Sequence, residues 1–331
     1  MASIREVAAL ANVSPSTVSR VMNGTANVDP EKRERVLKAI EESGFTPNEV
    51  ARSLFKKSSK TLGMIIPSIK NPFFTELSSA IERTANQYGY RMILSNTGGN
   101  LEKEKNAISM LVSMNVDGIV LATSNAGLRS YLDNCKTPIV TIDRLISKNA
   151  SGGYIHCDHY EGGRLAAEHL IDCGCKSIVC VRGLDGISSA KERFAGYLDV
   201  CKENGIKEQS IICDYDFNEG LAMTEDLLKQ YPDVDGIIAC NDMVAISIYK
   251  VLHRKKIRVP EEIQIIGYDN INLSRLMTPE FTTVAQPIEK MGVKAARLLI
   301  KKESNRQQEY IFSPELIIRE TTKLQKGADA Q

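Results

Sequence analysis

The chain has 331 residues, 43% hydrophobic and 25% charged, and its 42 Lys and Arg against 41 Asp and Glu leave a net charge of +1. That length exceeds one ordinary core and predicts two or three domains, while the near-zero balance excludes a histone-like basic coat over the whole molecule. Eight cysteines without an export leader read as reduced thiols, and apolar runs no longer than a strand exclude a membrane span, so a soluble cytoplasmic protein is expected.

The charge is unevenly spread. Residues 1–60 carry ten Lys and Arg against seven Asp and Glu, a net of +3, and the remainder nets −2. A small basic head on a near-neutral body suits a modular nucleic-acid binder.

In chain order, the spacing predicts a first helix over 4–11 with Ile4, Val7, Leu10 and Ala11 on its apolar face. Asn12 tolerates a left-handed turn. Ser14 then caps a second helix and Pro15 starts it, where a missing N–H costs nothing. Val18 and Val21 face inward, Pro15, Ser16, Ser19 and Arg20 stay outside, and Asn23-Gly24 stops the helix. A third helix opens at Asp29-Pro30, buries Val36, Leu37 and Ile40 and ends at Gly44. A short polar-faced middle helix fits the major groove, which admits one helix read by three or four side chains. Periodicity alone equally allows any small three-helix bundle.

From residue 62 onward, apolar runs alternate with amphipathic stretches. Strands are predicted at 62–66, 91–95, 118–122, 139–143, 177–181, 211–214, 236–240, 263–268 and 282–286. Helices are predicted at 75–88, 103–114, 160–173, 190–204, 220–230 and 243–254. That alternation implies parallel sheets wrapped by helices. The segment Val116-Asp117-Gly118-Ile119-Val120-Leu121-Ala122 is echoed by Val234-Asp235-Gly236-Ile237-Ile238-Ala239-Cys240, which favours two similar lobes facing across a cleft.

Ligands in such folds bind beyond the carboxyl ends of the strands. Asp143 with Arg144, Asn241, Asp269 and Gln286 fall at such ends, Arg193 lies early in a helix, and Asn71-Pro72-Phe73-Phe74 opens another. Carboxylates, amides and arginines beside aromatic rings suit the hydroxyls and C–H faces of a sugar. Each alone also serves as a helix cap or loop anchor. His156-Cys157-Asp158-His159 lacks a second ligand pair at zinc-like spacing, and no glycine pattern cradles a phosphate. Neither metal, cofactor nor catalysis is expected.

The runs Val13-Ser14-Pro15-Ser16-Thr17-Val18-Ser19-Arg20-Val21-Met22-Asn23 and Pro47-Asn48-Glu49-Val50-Ala51-Arg52-Ser53-Leu54 carry a family signature. So do Asn71-Pro72-Phe73-Phe74, Gly267-Tyr268-Asp269 and Gln286-Pro287. Over essentially its whole length the chain resembles the lactose-repressor family of bacterial transcription regulators, most of all repressors of ribose operons. The resemblance implies an all-α helix-turn-helix head on a two-lobed, periplasmic-binding-protein-like parallel α/β body. The head is then 1–46, the hinge helix and linker 47–60, and the body 61–331. Lobe one takes about 61–157 and 288–314, and lobe two about 158–287 and 315–323.

The resemblance also implies that Ser14, Pro15, Ser16, Thr17, Ser19, Arg20 and Asn23 of the head meet operator DNA. Asn48, Val50, Ala51, Ser53, Leu54 and Lys57 of the hinge do so too, with Leu54 wedged between base pairs. It implies a homodimer on a palindromic operator. The tail 320–331 has no leucine heptad to build a tetramer. A phosphocarrier protein acts as co-repressor for some relatives.

Ribose-binding periplasmic receptors share the body fold, and by that likeness Phe73 and Phe74 stack on the sugar ring, with Asn71 before them. Asp143 and Arg144 take adjacent hydroxyls, Arg193 and Phe217 come from the second lobe, and Asn241, Asp269 and Gln286 complete the set. His159 stands where an asparagine is usual, and Thr123 replaces another. The implied effector is D-ribose or a close pentose, with another sugar such as sucrose as the nearest alternative. A sugar-transport receptor would lack the basic head, and a sugar-modifying enzyme would need an acid, base or phosphate site that is not visible.

Overall fold

The computed structural model describes residues 2–24, 28–45, 58–144, 146, 152–302 and 308–323, in two compact units that divide after Ser59. In the first unit, the helix Ile4–Leu10 starts from a capping box in which the Ser3 hydroxyl accepts from the Glu6 N–H and the Glu6 carboxylate accepts from the Ser3 N–H. Asn12 takes the left-handed turn at φ 51°. The helix Pro15–Asn23 is capped by Ser14 and closed by Gly24, and the helix Pro30–Ser43 is capped by Asp29 and closed by Gly44. Val7, Ala8, Ala11, Val18, Val36 and Ala39 form the core.

Two expected core residues lie outside it. Leu10 is 62% exposed and Leu37 52% exposed. The first helix packs along Ile4, Val7, Ala8 and Ala11, the i, i+3, i+4, i+7 stripe, which turns Leu10 to the flank. In the third helix the stripe runs Val36, Ala39 and Ile40, and Leu37, one residue after Val36, turns to the flank. The hinge residues Asn48, Val50, Ala51, Ser53, Leu54 and Lys57 lie outside the described residues.

The second unit holds twelve strands in chain order: β1 (Thr61–Ile66), β2 (Arg91–Asn96), β3 (Gly118–Leu121), β4 (Ile139–Ile142), β5 (Tyr154–Cys157) and β6 (Ile178–Arg182). They continue as β7 (Ser210–Ile212), β8 (Gly236–Ile238), β9 (Gln264–Asp269), β10 (Thr283–Ala285), β11 (Glu309–Phe312) and β12 (Glu315–Ile317). Two six-stranded sheets result, ordered β11-β5-β4-β3-β1-β2 and β12-β10-β9-β8-β6-β7. Every pairing is parallel except β10 with β12. All nine expected strands are present; β5, β11 and β12 are additions.

The echoed segments become β3 and β8, which hold equivalent positions, each between the first and fourth strands of its own lobe. Packing explains the shared glycine. A Cβ on Gly118 would lie 2.7 Å from Leu299, and one on Gly236 would lie 3.0 Å from the Cys175 sulfur. The chain passes between the sheets after β5, after β10 and between β11 and β12. The helix Ile288–Ile300 returns to the first lobe, where Met291, Ala295 and Leu299 join a core with Leu77 and Ile81 from the helix Pro72–Gln87. No described helix is long and apolar enough to cross a membrane.

Candidate functional site

In the head, the Ser14 hydroxyl accepts from the Thr17 N–H at 3.3 Å and lies 2.8 and 2.9 Å from the hydroxyls of Ser16 and Thr17. Pro15, Ser16 and Arg20 are exposed, while Thr17, Ser19 and Asn23 are half-buried, with the Asn23 amide donating to Ser19 at 3.2 Å. Val18 holds the opposite face at no exposure. The helix thus presents hydroxyls and one guanidinium on a surface free of carboxylates, a face suited to phosphates and base edges.

In the body, the carboxyl ends of both sheets border one cleft. It is lined by Asn71, Phe73, Phe74, Asp143, Arg144, Ser189, Arg193, Tyr215, Asp269 and Gln286. Asn71 accepts from the Phe73 N–H at 3.0 Å, which starts the helix Pro72–Gln87 and sets both rings, 5.1 Å apart and edge-on. Asp143 follows β4 at φ 66°, with its Oδ2 3.5 Å from Arg144 Nε. The Arg144 guanidinium lies 5.6 Å from the Phe74 ring and 5.8 Å from the Tyr215 ring, one from each lobe.

Arg193 projects from the helix Ser188–Asn204, donates to the Cys240 carbonyl at 2.8 Å and stacks 3.5 Å over the Tyr268 ring. Its Nη2 is 3.9 Å from Asp269 Oδ1, which also accepts from Gln286 Nε2 at 2.8 Å. Asn241 is buried at the start of the helix Asp242–Arg254, its Oδ1 accepting from the Val244 N–H at 2.8 Å.

Six buried side-chain polar atoms among the described residues have no hydrogen-bond partner, and five of them converge here: Asp143 Oδ1, Arg144 Nε, His159 Nε2, Asn241 Nδ2 and Gln286 Oε1. Buried polar groups are ordinarily paired, because each one left unpaired costs about 1–3 kcal/mol. Such a cluster, with both donors and acceptors, is chemically matched to the hydroxyls of a polyol.

Electrostatics agree. Burial pushes the Asp143 carboxyl up, but His159, Arg144 and Arg193 outweigh it and hold it below its ordinary range. Burial raises Asp269 to about 7, against the pull of Arg193 and Gln286. Burial, with Arg193 beside it, lowers His159 to about 4.

Eight of the expected residues line the cleft; four do not. Thr123 is fully buried and donates to Glu104 at 2.6 Å. Phe217 sits at the start of the helix Phe217–Gln230 with Lys250 5.3 Å from its ring, and Tyr215, two residues earlier, supplies the aromatic wall instead. His159 and Asn241 are buried beside the lining residues without being among them. Ser189 and Tyr215 were not expected: a serine in the first turn of a helix and a tyrosine in a loop carry no periodic signal. His156 faces away, bonded to the Cys157 carbonyl and to Glu309, both at 2.9 Å.

Residues 59–320 match the periplasmic binding proteins and sugar binding domain of the LacI family, and residues 3–48 match the bacterial regulatory proteins of the lacI family. A ribose operon repressor of Halalkalibacterium halodurans is 39% identical, the match covering 98% of each chain. A transcriptional repressor of Pasteurella multocida named PurR is 35% identical over 98% of this chain and 99% of its own.

Among solved structures, a regulator from Alkaliphilus metalliredigens complexed with D-xylulofuranose is 33% identical, with a TM-score of 0.73 over 80% of this chain and 100% of its own. The lac repressor dimer bound to operator and the anti-inducer ONPF is 25% identical, with a TM-score of 0.85 over 97% of this chain and 98% of its own. With the head and body both matched and full-length relatives above 30% identity, the chain belongs to the LacI family of bacterial regulatory proteins, as a DNA-binding, sugar-responsive transcriptional repressor and not an enzyme.

Proposed function

We propose that the effector is D-ribose or a close pentose, and that its binding releases a homodimer of this repressor from a palindromic operator. The observation that carries the reading is the convergence of unpartnered buried polar atoms at the cleft, three of them (Asp143 Oδ1, Arg144 Nε and Gln286 Oε1) on residues that line it. Ribose offers little apolar surface, so its affinity must come from dense, pre-organised and charge-assisted hydrogen bonds. Asp143 and Asp269 are balanced by Arg144 and Arg193, which favours a neutral polyol over a sugar phosphate.

The relative named as a ribose operon repressor and the neighbour holding D-xylulofuranose agree with a pentose. The relative named PurR makes the choice of effector worth testing broadly.

The test is calorimetry and thermal unfolding of the purified protein with D-ribose and with sucrose, since a ligand of the native state alone must raise its midpoint. D-Ribose is expected to bind and to weaken a gel shift on operator DNA, and to do so without an added phosphocarrier protein. Tight sucrose binding without ribose binding at millimolar sugar overturns the pentose assignment.

A further inference from the structure

We infer that His159 is a positioning residue that ties together the effector-binding groups of the two lobes, holding Arg193 through Nδ1 and facing Asp143 through Nε2, without itself contacting the sugar. The inference rests on reading the cleft as the effector site. His159 opens the helix His159–Asp172, directly after the chain leaves β5 for the second lobe, and its side chain is fully buried. Arg193 Nε lies 3.3 Å from His159 Nδ1 in hydrogen-bond geometry. A guanidinium has donors only, so Nδ1 must be the acceptor and the ring proton must sit on Nε2. Nε2 is 3.3 Å from Asp143 Oδ1, close but outside the alignment of a hydrogen bond. The Tyr268 hydroxyl is 3.3 Å from Nδ1.

Backbone packing is built around this arrangement. A Cβ on Gly162 would lie 2.1 Å from the Tyr268 hydroxyl oxygen, and one on Gly163 would lie 2.0 Å from the Arg193 carbonyl oxygen. These two glycines, one turn after His159, let its helix approach close enough for the imidazole to reach Arg193 and Tyr268. The ring remains neutral near pH 7, because burial and the neighbouring guanidinium both disfavour its charge.

A neutral donor–acceptor spacer has a specific consequence. Asp143 comes from the first lobe and Arg193 from the second, and two such charges in contact would pair directly and fill the cleft. The imidazole separates them while orienting both, which leaves Arg193 Nη2 beside Asp269 and Asp143 Oδ2 beside Arg144. Asparagine presents an acceptor and a donor on a shorter arm. Leucine fills comparable volume with neither.

The experiment uses the full-length protein, with ¹⁵N spectra of its histidine rings and D-ribose calorimetry on the parent, His159→Asn and His159→Leu. The chain has four histidines, so the signals lost in His159→Asn identify the ring. The expected spectrum is a neutral ring with its proton on Nε2, persisting from pH 8 to below pH 6. Asp143→Asn should shift the Nε2 signal and leave Nδ1 unchanged. His159→Leu is expected to lose at least about tenfold in ribose affinity, and His159→Asn markedly less, because it keeps both hydrogen-bonding roles. A proton on Nδ1, a ring charged near neutrality, or equal losses in both variants overturns the inference. If the parent ignores ribose, the pentose reading falls, and the ring spectra, recorded without sugar, still decide the role of His159.

Discussion

Asp269 combines three costly features in one carboxylate: φ of 106° on a residue with a Cβ, near-complete burial, and a proton affinity raised to about 7. Strain of that kind persists only where the surroundings hold it. Here Asp242 accepts from the Ile271 N–H at 2.9 Å and from Thr283 at 2.6 Å, and Arg319 donates to Asn270 at 2.7 Å. A sugar hydroxyl donating to Asp269 favours the ionised carboxylate, so binding should expel a proton near neutrality. Ribose affinity is expected to rise between about pH 6 and pH 8 and then level off. The sugar-free protein should show the opposite slope. Its folded state holds a proton that the unfolded chain gives up near pH 4, so its stability falls as pH rises from about 4 to about 7. Calorimetry at pH 7 in two buffers of different ionisation heat measures the released proton; a pH-independent affinity with no proton release contradicts this role. Asp269 was legible in the sequence because it ends an apolar run of strand length. Tyr215 was not, because it lies in a non-periodic loop two residues before the helix that Phe217 opens.

The cleft is also closed by contacts between whole elements. Ile271, from the loop after β9, is buried within the first lobe's core with Phe73 and Phe74, and Met243 packs against the same cluster. The next residue, Asn272, donates its N–H to Glu76 on the helix Pro72–Gln87 at 2.8 Å. That helix carries both Phe rings, so the latch and the sugar site share their supports. Glu76→Ala is expected to lower ribose affinity by up to about fivefold, the worth of roughly 1 kcal/mol for one hydrogen bond at an exposed position. Glu76→Gln, which keeps an acceptor oxygen, should recover most of it. Unchanged ribose affinity in Glu76→Ala, measured by calorimetry, would remove the latch from the account. The elements holding this arrangement were mostly legible, since apolar runs such as 62–66 and 118–122 have no other use in a chain of this composition. β5, β11 and β12 escaped because they are three or four residues long and mix Tyr, His and Glu with apolar residues. Their pairing is supplied by the sheet they join, and a local pattern carries no trace of that.

At the scale of the molecule, the effector can act on DNA only through a difference in its affinity for two arrangements of the protein. Phe73, Phe74, Asp143 and Arg144 belong to the first sheet's lobe, and Arg193, Tyr215, Asp269 and Gln286 to the second, so one small ligand touching both responds to their relative pose. Thermodynamic linkage then requires reciprocity. If ribose weakens operator affinity by some factor, operator DNA must weaken ribose affinity by the same factor, expected at about 5–150-fold for a coupling of about 1–3 kcal/mol. Fluorescence anisotropy on a palindromic operator with and without ribose gives the first factor, and calorimetry with and without operator gives the second. Two variants separate the parts. Arg20→Ala should weaken operator binding, by about 1–3 kcal/mol if its guanidinium reads a guanine edge, with ribose affinity of the free protein unchanged. Asp269→Ala should leave operator binding intact and abolish the response to sugar. Equal operator affinity with and without saturating ribose would mean that the cleft binds a sugar with no authority over the head.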